Sequence, residues 1–449
     1  MLQARVIFDL LFHRGIGPTN NKNQNYFSEI ENCSPTEEGF IGARNKGYSF
    51  QVLEGVDNQV FNISFDSYIF TPEKIYKVVG NELELEMEGI EVGEKWSKAE
   101  YEGFTLFGNG KKVIILDSLG IFAYSQDIPV CKDMVNFNGQ LILSNHTLDV
   151  NNFIPAVLPS LDLGKSLLLH SGIGNINCIP SDTNPEAGFL FLFEVGEILK
   201  SFNFDNGILV VGTKGVVMLN PFELGFGKRL ILEHGAIDRD NVSGGNTEVV
   251  FKSQDGSIWG IRKDLKVTLY GFKYLFKDLS IKIFYDTSRE EFCFLTPTKT
   301  YVLGGSGLFS LNGLLTGKIG KEVDGKFLAS SLPDLGIARC ITSVLDFKDP
   351  GLKIIEEVSV GIETEDPDLI VSFCIWTREK INGPWFQSPF YRLNDQNVCK
   401  PHVAGSEFKV EFKCSSFSNF KLDWLTVQYD KIDKRVNRGH QFVDINKEG

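Results

Sequence analysis

The chain has 449 residues, 42% hydrophobic and 23% charged, with a net charge of −13. It is too long for one ordinary core, and too acidic for a protein that grips nucleic-acid phosphates through clustered Lys and Arg. Glycine at 44 and phenylalanine at 37 are abundant and methionine at 4 is scarce, a balance that favours an all-β chain with many turns over a helical one.

The first residues, Met1 to Asp9, carry an apolar patch that Asp9, His13 and Arg14 interrupt. No small-residue cleavage site follows, so a secretory signal is not expected. Residues 3–13 suit a short amphipathic helix or a strand equally. Residues 1–48 read as a loop-rich N-terminal arm, with the polar stretch Gly17 to Asn25 as its exposed part.

From Ser49 the pattern becomes short runs of β-branched and aromatic residues separated by turns. The stretch Glu82 to Glu88 alternates strictly, with Leu83, Leu85 and Met87 on one face and four glutamates on the other. It predicts a strand with one buried and one wet face. Hairpin signals then recur at Asn109-Gly110, Asn138-Gly139, Asn206-Gly207, Thr213 to Gly215, Asp255-Gly256, Asp286 to Arg289 and Pro297 to Lys299. One helical turn at 195–200 is an open alternative. Repeated short antiparallel sheets over some two hundred residues are what a β-propeller requires. Residues 49–335 are therefore read as a degenerate β-propeller without a Trp-Asp or Kelch signature, a long sandwich being the alternative. A boundary falls near Leu328 to Lys353, where Asp349-Pro350-Gly351 forms a turn. Residues 336–434 read as a β-sandwich and 435–449 as a charged tail. No apolar run reaches the length of a membrane span.

Candidate chemistry fails where it is strictest. Counting an EF-hand loop from Asp238 puts Asp240 at the third position, but Val242, Ser243 and Val249 at the fifth, sixth and twelfth. Asp and Asn capping a polar corner between sheets explain Asp238 to Asn241 better. Gly164-Lys165-Ser166 ends like a phosphate-binding loop, but Pro159 stands where its first glycine belongs. The glycines of Leu303 to Gly313 lack the following helix of a dinucleotide fold. Histidines 13, 146, 170, 234, 402 and 440 sit in no catalytic motif. Asp238, Asp240, Asp286, Glu290 and Glu291 could pair for glycosidase chemistry, or be solvated turn acids. Trp259, Trp376, Trp385 and Trp424 could stack on sugars, or anchor a core. The eight cysteines (33, 131, 178, 293, 340, 374, 399 and 414) form no CxxC pair, which argues against a zinc ribbon. Their scatter suggests isolated reduced thiols. No catalytic, cofactor-binding or metal-binding residue is assigned, and no cofactor is expected.

Three segments carry a family resemblance. Asn25 to Ser49 leads from an Asn-rich strand through a Pro turn to a glycine-plus-basic stretch. Leu232 to Ile261 places Gly235, Ser243, Ser253, Asp255 and Gly256 in a corner–strand–turn–strand order, and Tyr285 to Leu303 looks like the next unit. Ser372 to Trp385 and Ser406 to Asp430 resemble a closing sandwich. Together they resemble the tail nozzle or hub protein of short-tailed double-stranded-DNA phages, also called the packaged-DNA stabilisation protein or tail accessory factor. The acidic stretch 82–94 and the arm at 17–25 depart from that pattern. The resemblance implies a non-enzymatic virion tail protein, made in the host cytoplasm, in a homo-oligomeric ring expected as a hexamer. Its partners would be portal-adaptor (connector) proteins above it and tail fibres or spikes. Genome DNA would pass non-specifically through a lumen whose acidic wall does not hold a polyanion. A carbohydrate-active propeller (glycosidase or lectin) and another tail or baseplate attachment protein are the alternatives.

Overall fold

The short apolar runs between residues 63 and 271 fold into five successive antiparallel sheets of four strands each. The computed structural model describes residues 3–9, 16–17, 27–36, 39–41, 49–51, 63–65, 68–79, 82–125, 128–146, 163–204, 206–222, 225–286, 290–305, 307–311, 322–323, 326–328, 337–345, 347–348, 351–364, 369–380, 382–414 and 420–432. The first blade holds Ile63–Phe65, Tyr68–Phe70, Ile75–Val79 and Glu82–Met87. The second holds Ser97–Tyr101, Phe104–Gly108, Val113–Leu116 and Phe122–Tyr124. The third holds Cys131–Phe137, Gln140–His146, Leu167–His170 and Gly188–Phe191. The fourth holds Ile198–Phe204, Gly207–Gly212, Val216–Phe222 and Gly225–Leu232. The fifth holds Val242–Gly244, Glu248–Lys252, Ile258–Arg262 and Val267–Gly271, and a hairpin of Lys282–Asp286 with Glu291–Leu295 follows.

In every blade the strand order follows the chain, and from the second blade onward the first strands of consecutive sheets lie side by side. The core is laid down between blades. Phe70, Phe107 and Ile114 fill the first gap, and Leu106, Met134 and Leu141 the second. Ile142, Leu168 and Val210 fill the third, and Leu209, Met218 and Phe251 the fourth. This explains why Gly207–Gly212 is an unbroken apolar run. Ile208 and Val210 face one neighbouring blade while Leu209 and Val211 face the other, so both sides of the strand are buried. The unit is a degenerate β-propeller. Helix is confined, among the described residues, to Lys273–Phe276 and two 3-10 turns, Leu163–Ser166 and Arg239–Asn241. Among the described residues no helix is long and apolar enough to cross a membrane.

The β-sandwich forms a second unit, Met1–Gly47, Tyr301–Asn312 and Asp334–Gly449. One sheet runs Ser34–Thr36, Gly39–Ile41, Phe420–Lys431, Lys353–Thr364 and Val398–Cys399, with Gln3–Asp9 also paired along Phe420–Lys431. The other runs Gly307–Leu311, Phe27–Glu31, Ala338–Thr342, Glu407–Cys414, Val371–Arg378 and Phe386–Gln387. Phe347 joins them, with ring contacts to Phe8 and Tyr429 of one sheet and Phe408 of the other.

Three expectations are corrected here. Residues 1–48 are not an arm alone: Gln3–Asp9 is a strand in a seven-residue register with Trp424 to Asp430, and Phe27–Glu31 lies inside a sheet. The propeller does not run unbroken to 335, because Tyr301–Asn312 belongs with the sandwich. Strand pairing between residues hundreds of positions apart leaves no local signal, so these boundaries are not legible in the sequence. The face expected to be buried on Glu82–Met87 is open at Leu85, which is 48% exposed. That strand is the outermost of its blade and has one partner. Residues 18–25 and 435–449 lie outside the described residues. Residues 195–200 are a turn leading into a strand rather than a helical turn.

Candidate functional site

The first strands of the third and fourth blades carry charge within largely apolar runs. Lys132 and Asp133 lie in the third blade, Lys200 and Ser201 in the fourth, and Lys282 in the hairpin after the fifth. The segments leading into these strands add Glu94, Lys95, Glu197 and Asp238 to Asn241. Together with Asn145 many of these residues line a cleft of about 590 Å³.

Arg239 organises the cleft. Asp238, in extended backbone, accepts hydrogen bonds on Oδ1 from the amides of Asp240 (2.8 Å) and Asn241 (3.2 Å), and so caps the 3-10 turn. Asn241 donates its side-chain amide to the Ile281 carbonyl at 2.6 Å. The corner fixed in this way projects Arg239 away from its own blade. Its Nη2 lies 3.0 Å from Asp133 Oδ1, and its Nη1 donates to the carbonyls of Lys95 (2.9 Å) and Lys132 (2.5 Å). Asp133 Oδ2 accepts from the Ser201 amide at 2.7 Å, which ties the third blade to the fourth. Lys132 Nζ lies 2.5 Å from Glu94 and 3.5 Å from Glu197. Asp240 pairs with Lys95, and with Lys282 at 3.8 Å.

Burial dominates the electrostatics. It pushes the Lys200 ammonium down to about 8, with Arg239 adding to the fall and Asp133 and Asp240 opposing it. Burial likewise raises the Asp133 carboxyl against the pull of Arg239. Such charges hold only as a set, because removing one partner strands another in low dielectric. Asn145 is 3% exposed, at φ 57°. Its Nδ2 donates to Ile198 O (2.6 Å) and Glu197 (3.2 Å), while its Oδ1 is buried without a donor. The carboxylates of the cleft are engaged by cations or backbone amides, so the arrangement locks blades together and leaves one acceptor for a hydroxyl or amine.

The residues weighed from sequence are scattered by the fold. Asp238 and Asp240 belong to this network, as a cap and an ion-pair partner. Among the described residues no three His, Cys, Asp or Glu side chains stand as a metal-binding group. Glu291 is buried and Glu290 exposed, and the Asp286 side chain lies outside the described residues. His146 and His170 are buried, His234 stacks on Trp259 with ring centres 5.2 Å apart, and His402 lies 2.7 Å from Glu356. His13 and His440 lie outside the described residues. Gly164 to Ser166 form a 3-10 turn whose Ser166 hydroxyl donates to the Gly196 carbonyl. Trp376 and Trp385 line a different cleft, in the sandwich unit. All eight cysteines are free thiols and seven are buried. Sequence reading missed Lys132, Asp133, Asn145 and Arg239. The signal was there: Cys-Lys-Asp-Met-Val and Leu-Lys-Ser-Phe break apolar strands with charge.

No family model and no curated protein matches the sequence. Among solved structures the chain is similar to PorZ, a surface component of the type-IX secretion system of Porphyromonas gingivalis, at 10% identity and a TM-score of 0.33. That match covers 65% of this chain and 36% of PorZ. It is similar to a streptogramin B lyase at 9% identity and a TM-score of 0.40, over 66% of this chain and 93% of that one. It is also similar to the extracellular domain of a one-component system from B. thetaiotaomicron, at 13% identity and a TM-score of 0.43, over 79% and 46% of the two chains. The activities those names describe belong to those proteins.

Proposed function

We propose that this chain is a structural assembly protein, the nozzle or hub of a short phage tail, working as a closed homo-oligomeric ring, a hexamer, that conducts DNA and anchors fibres or spikes. The observation that supports this reading best is the placing of large apolar side chains on the outer parts of consecutive blades. Leu119, Ile121 and Tyr124 are exposed in the second blade, Phe189 and Phe193 at the edge of the third, Phe222 and Leu230 in the fourth and Leu269 in the fifth. Exposed apolar groups recurring at sheet edges are expected of a surface that packs on another protein. Head-to-tail packing closes into a ring when the rotation allows. The cross-blade ion pairs suit a part that must stay rigid. On this reading the partners are further copies of the chain, connector proteins and fibres, and the protein catalyses nothing.

Two measurements test it. Negative-stain microscopy of the purified chain should show closed rings that Phe222→Asp disperses without unfolding the protein. Immunogold labelling of virus particles should place the chain at a tail vertex. A monomer at all concentrations together with unlabelled particles would sink the proposal.

A further inference from the structure

All five blades reach the cleft of the propeller unit. Pro72 comes from the first, Lys95 from the approach to the second, Lys132 and Asn145 from the third, Glu197 from the approach to the fourth, and Arg239 from the approach to the fifth. At about 590 Å³ it has the size of a small-molecule site. The charges on its lining do not balance. Arg239 is taken up by Asp133 at 3.0 Å, and Lys95 by Asp240, which also has Lys282 at 3.8 Å. Neither of those carboxylates lines the cleft. What remains on the lining is one ammonium, Lys132, divided between Glu94 at 2.5 Å and Glu197 at 3.5 Å, and a third carboxylate, Asp238. Asp238 holds backbone amides on one oxygen and, among the described residues, pairs with no cation. Lys252, whose charge acts on Asp238, gives its ammonium to the Leu279 carbonyl at 2.6 Å instead.

The hydrogen-bonding groups lean the same way as the charge. Asn145 is 3% exposed, and its Oδ1 is buried without a donor, a deficit that costs stability until a donor arrives. Beside it, Glu197 Oε1 takes the Asn145 amide at 3.2 Å and Lys132 at 3.5 Å, which leaves Oε2 without a partner among the described residues. Val92 and Ile237, 54% and 41% exposed, give the same cleft an apolar wall. A hydroxyl would answer the acceptors but not the excess of carboxylate. A bare metal ion asks for several converging oxygens, and among the described residues no such group stands here. An ammonium answers both, with three donors and a positive charge. We infer that this cleft takes an alkylammonium group, its nitrogen at Glu197 and Asn145 and its aliphatic stem along Val92 and Ile237. The group is carried by a free amine or by the lysine side chain of another protein. The proposal concerns the propeller unit alone, and its failure would leave the assembly role where it stands.

The test is saturation-transfer NMR and calorimetry on the full chain, with n-pentylamine, Nα-acetyl-lysine amide, 1-pentanol and valerate as probes. Pentylamine should bind, with pentanol weaker by about tenfold or more and valerate excluded. Acetyl-lysine amide binding as tightly as pentylamine would support a protein lysine as the source, and its exclusion a free amine. Glu197→Gln should weaken pentylamine by about tenfold. Asp238→Asn keeps the turn cap while removing the charge, so it carries the test should Glu197→Gln misfold, and it should weaken binding by about threefold. Absence of pentylamine binding, pentanol binding equally well, or affinity unchanged in both variants would overturn the proposal. So would a preference for valerate, which would show that the lysines and not the carboxylates govern the cleft.

Discussion

Asp133 and Arg239 face each other across blades with side-chain exposures of 4% and 12%. Asp133→Ala would strand the guanidinium, a loss of about 3–5 kcal/mol. Adding Arg239→Met should recover part of it, because an apolar pair carries no desolvation cost. Denaturant titration of the single and double variants checks this, and a double variant weaker than either single one would contradict it. Asp238 makes a simpler case. Its carboxylate caps a 3-10 turn, so Asp238→Ala should cost about 1 kcal/mol with or without calcium. If calcium raises the melting temperature of the parent and Asp238→Ala abolishes that rise, the residue is a metal ligand after all. His146 adds a pH dependence. Both ring nitrogens face carbonyls at 3.2 Å, yet burial outweighs them and holds the imidazole down at about 4. The unfolded chain takes up this proton near 6.5, before the folded one does. The stability is therefore complete above pH 6.5 and lost as pH falls toward 4, by up to about 3 kcal/mol. His146→Gln should flatten the urea midpoint over that range; an unchanged profile would show that the ring is protonated in the folded state.

Hairpins set the blades, and their turns differ in what they tolerate. Asn138 (φ 49°) and Gly139 (φ 80°) form the two-residue turn expected from Asn-Gly. Glu102 (φ 43°) and Gly103 (φ 85°) form a second such turn that the Asn-Gly signal did not mark, because its first residue is Glu. At Asp255-Gly256 the side chain shapes the turn: Asp255 accepts from the Ser253 hydroxyl, the Ser257 amide and hydroxyl, and Lys273. The Ser253 hydroxyl and Lys273 hold its carboxyl well below the usual range. Gly103 and Gly256 (φ 86°) both need the left-handed region. A Cβ on Gly103 meets nothing within 4 Å, whereas one on Gly256 would stand 2.6 Å from the Lys277 Cα. Gly103→Ala should cost about 1 kcal/mol from conformation alone. Gly256→Ala should cost clearly more, with denaturation midpoints ranking the two. Equal losses would mean that the Lys277 segment yields freely.

At the scale of the molecule, the sandwich is assembled from three separated stretches of chain. A fragment spanning 336–434 lacks Gln3–Asp9, Phe27–Glu31 and Gly307–Leu311, and with them the Phe8 ring against Phe347. It should fail to fold, giving a collapsed amide NMR spectrum, while the full chain melts cooperatively. A dispersed spectrum from the fragment would show that the added strands are dispensable.

The alternating and continuous apolar runs, the Asn-Gly and Asp-Gly turns and the scarcity of helix formers determined the all-β class, the repeated sheets and the polar corner at Asp238. These are local properties, because the period of two and the left-handed turn conformations belong to a few consecutive residues. The tertiary structure alone decided that Gln3–Asp9 lies along Phe420–Lys431. It alone brought Arg239 to Asp133, and it folded Trp385 over Arg378 and Lys409. The first two pairings depend on which sheet edges and faces come together after the chain has crossed a hundred residues or more, the third on how a turn folds back over its own sheet, and a charged residue in a strand reads the same beforehand whether it will face solvent or a buried partner.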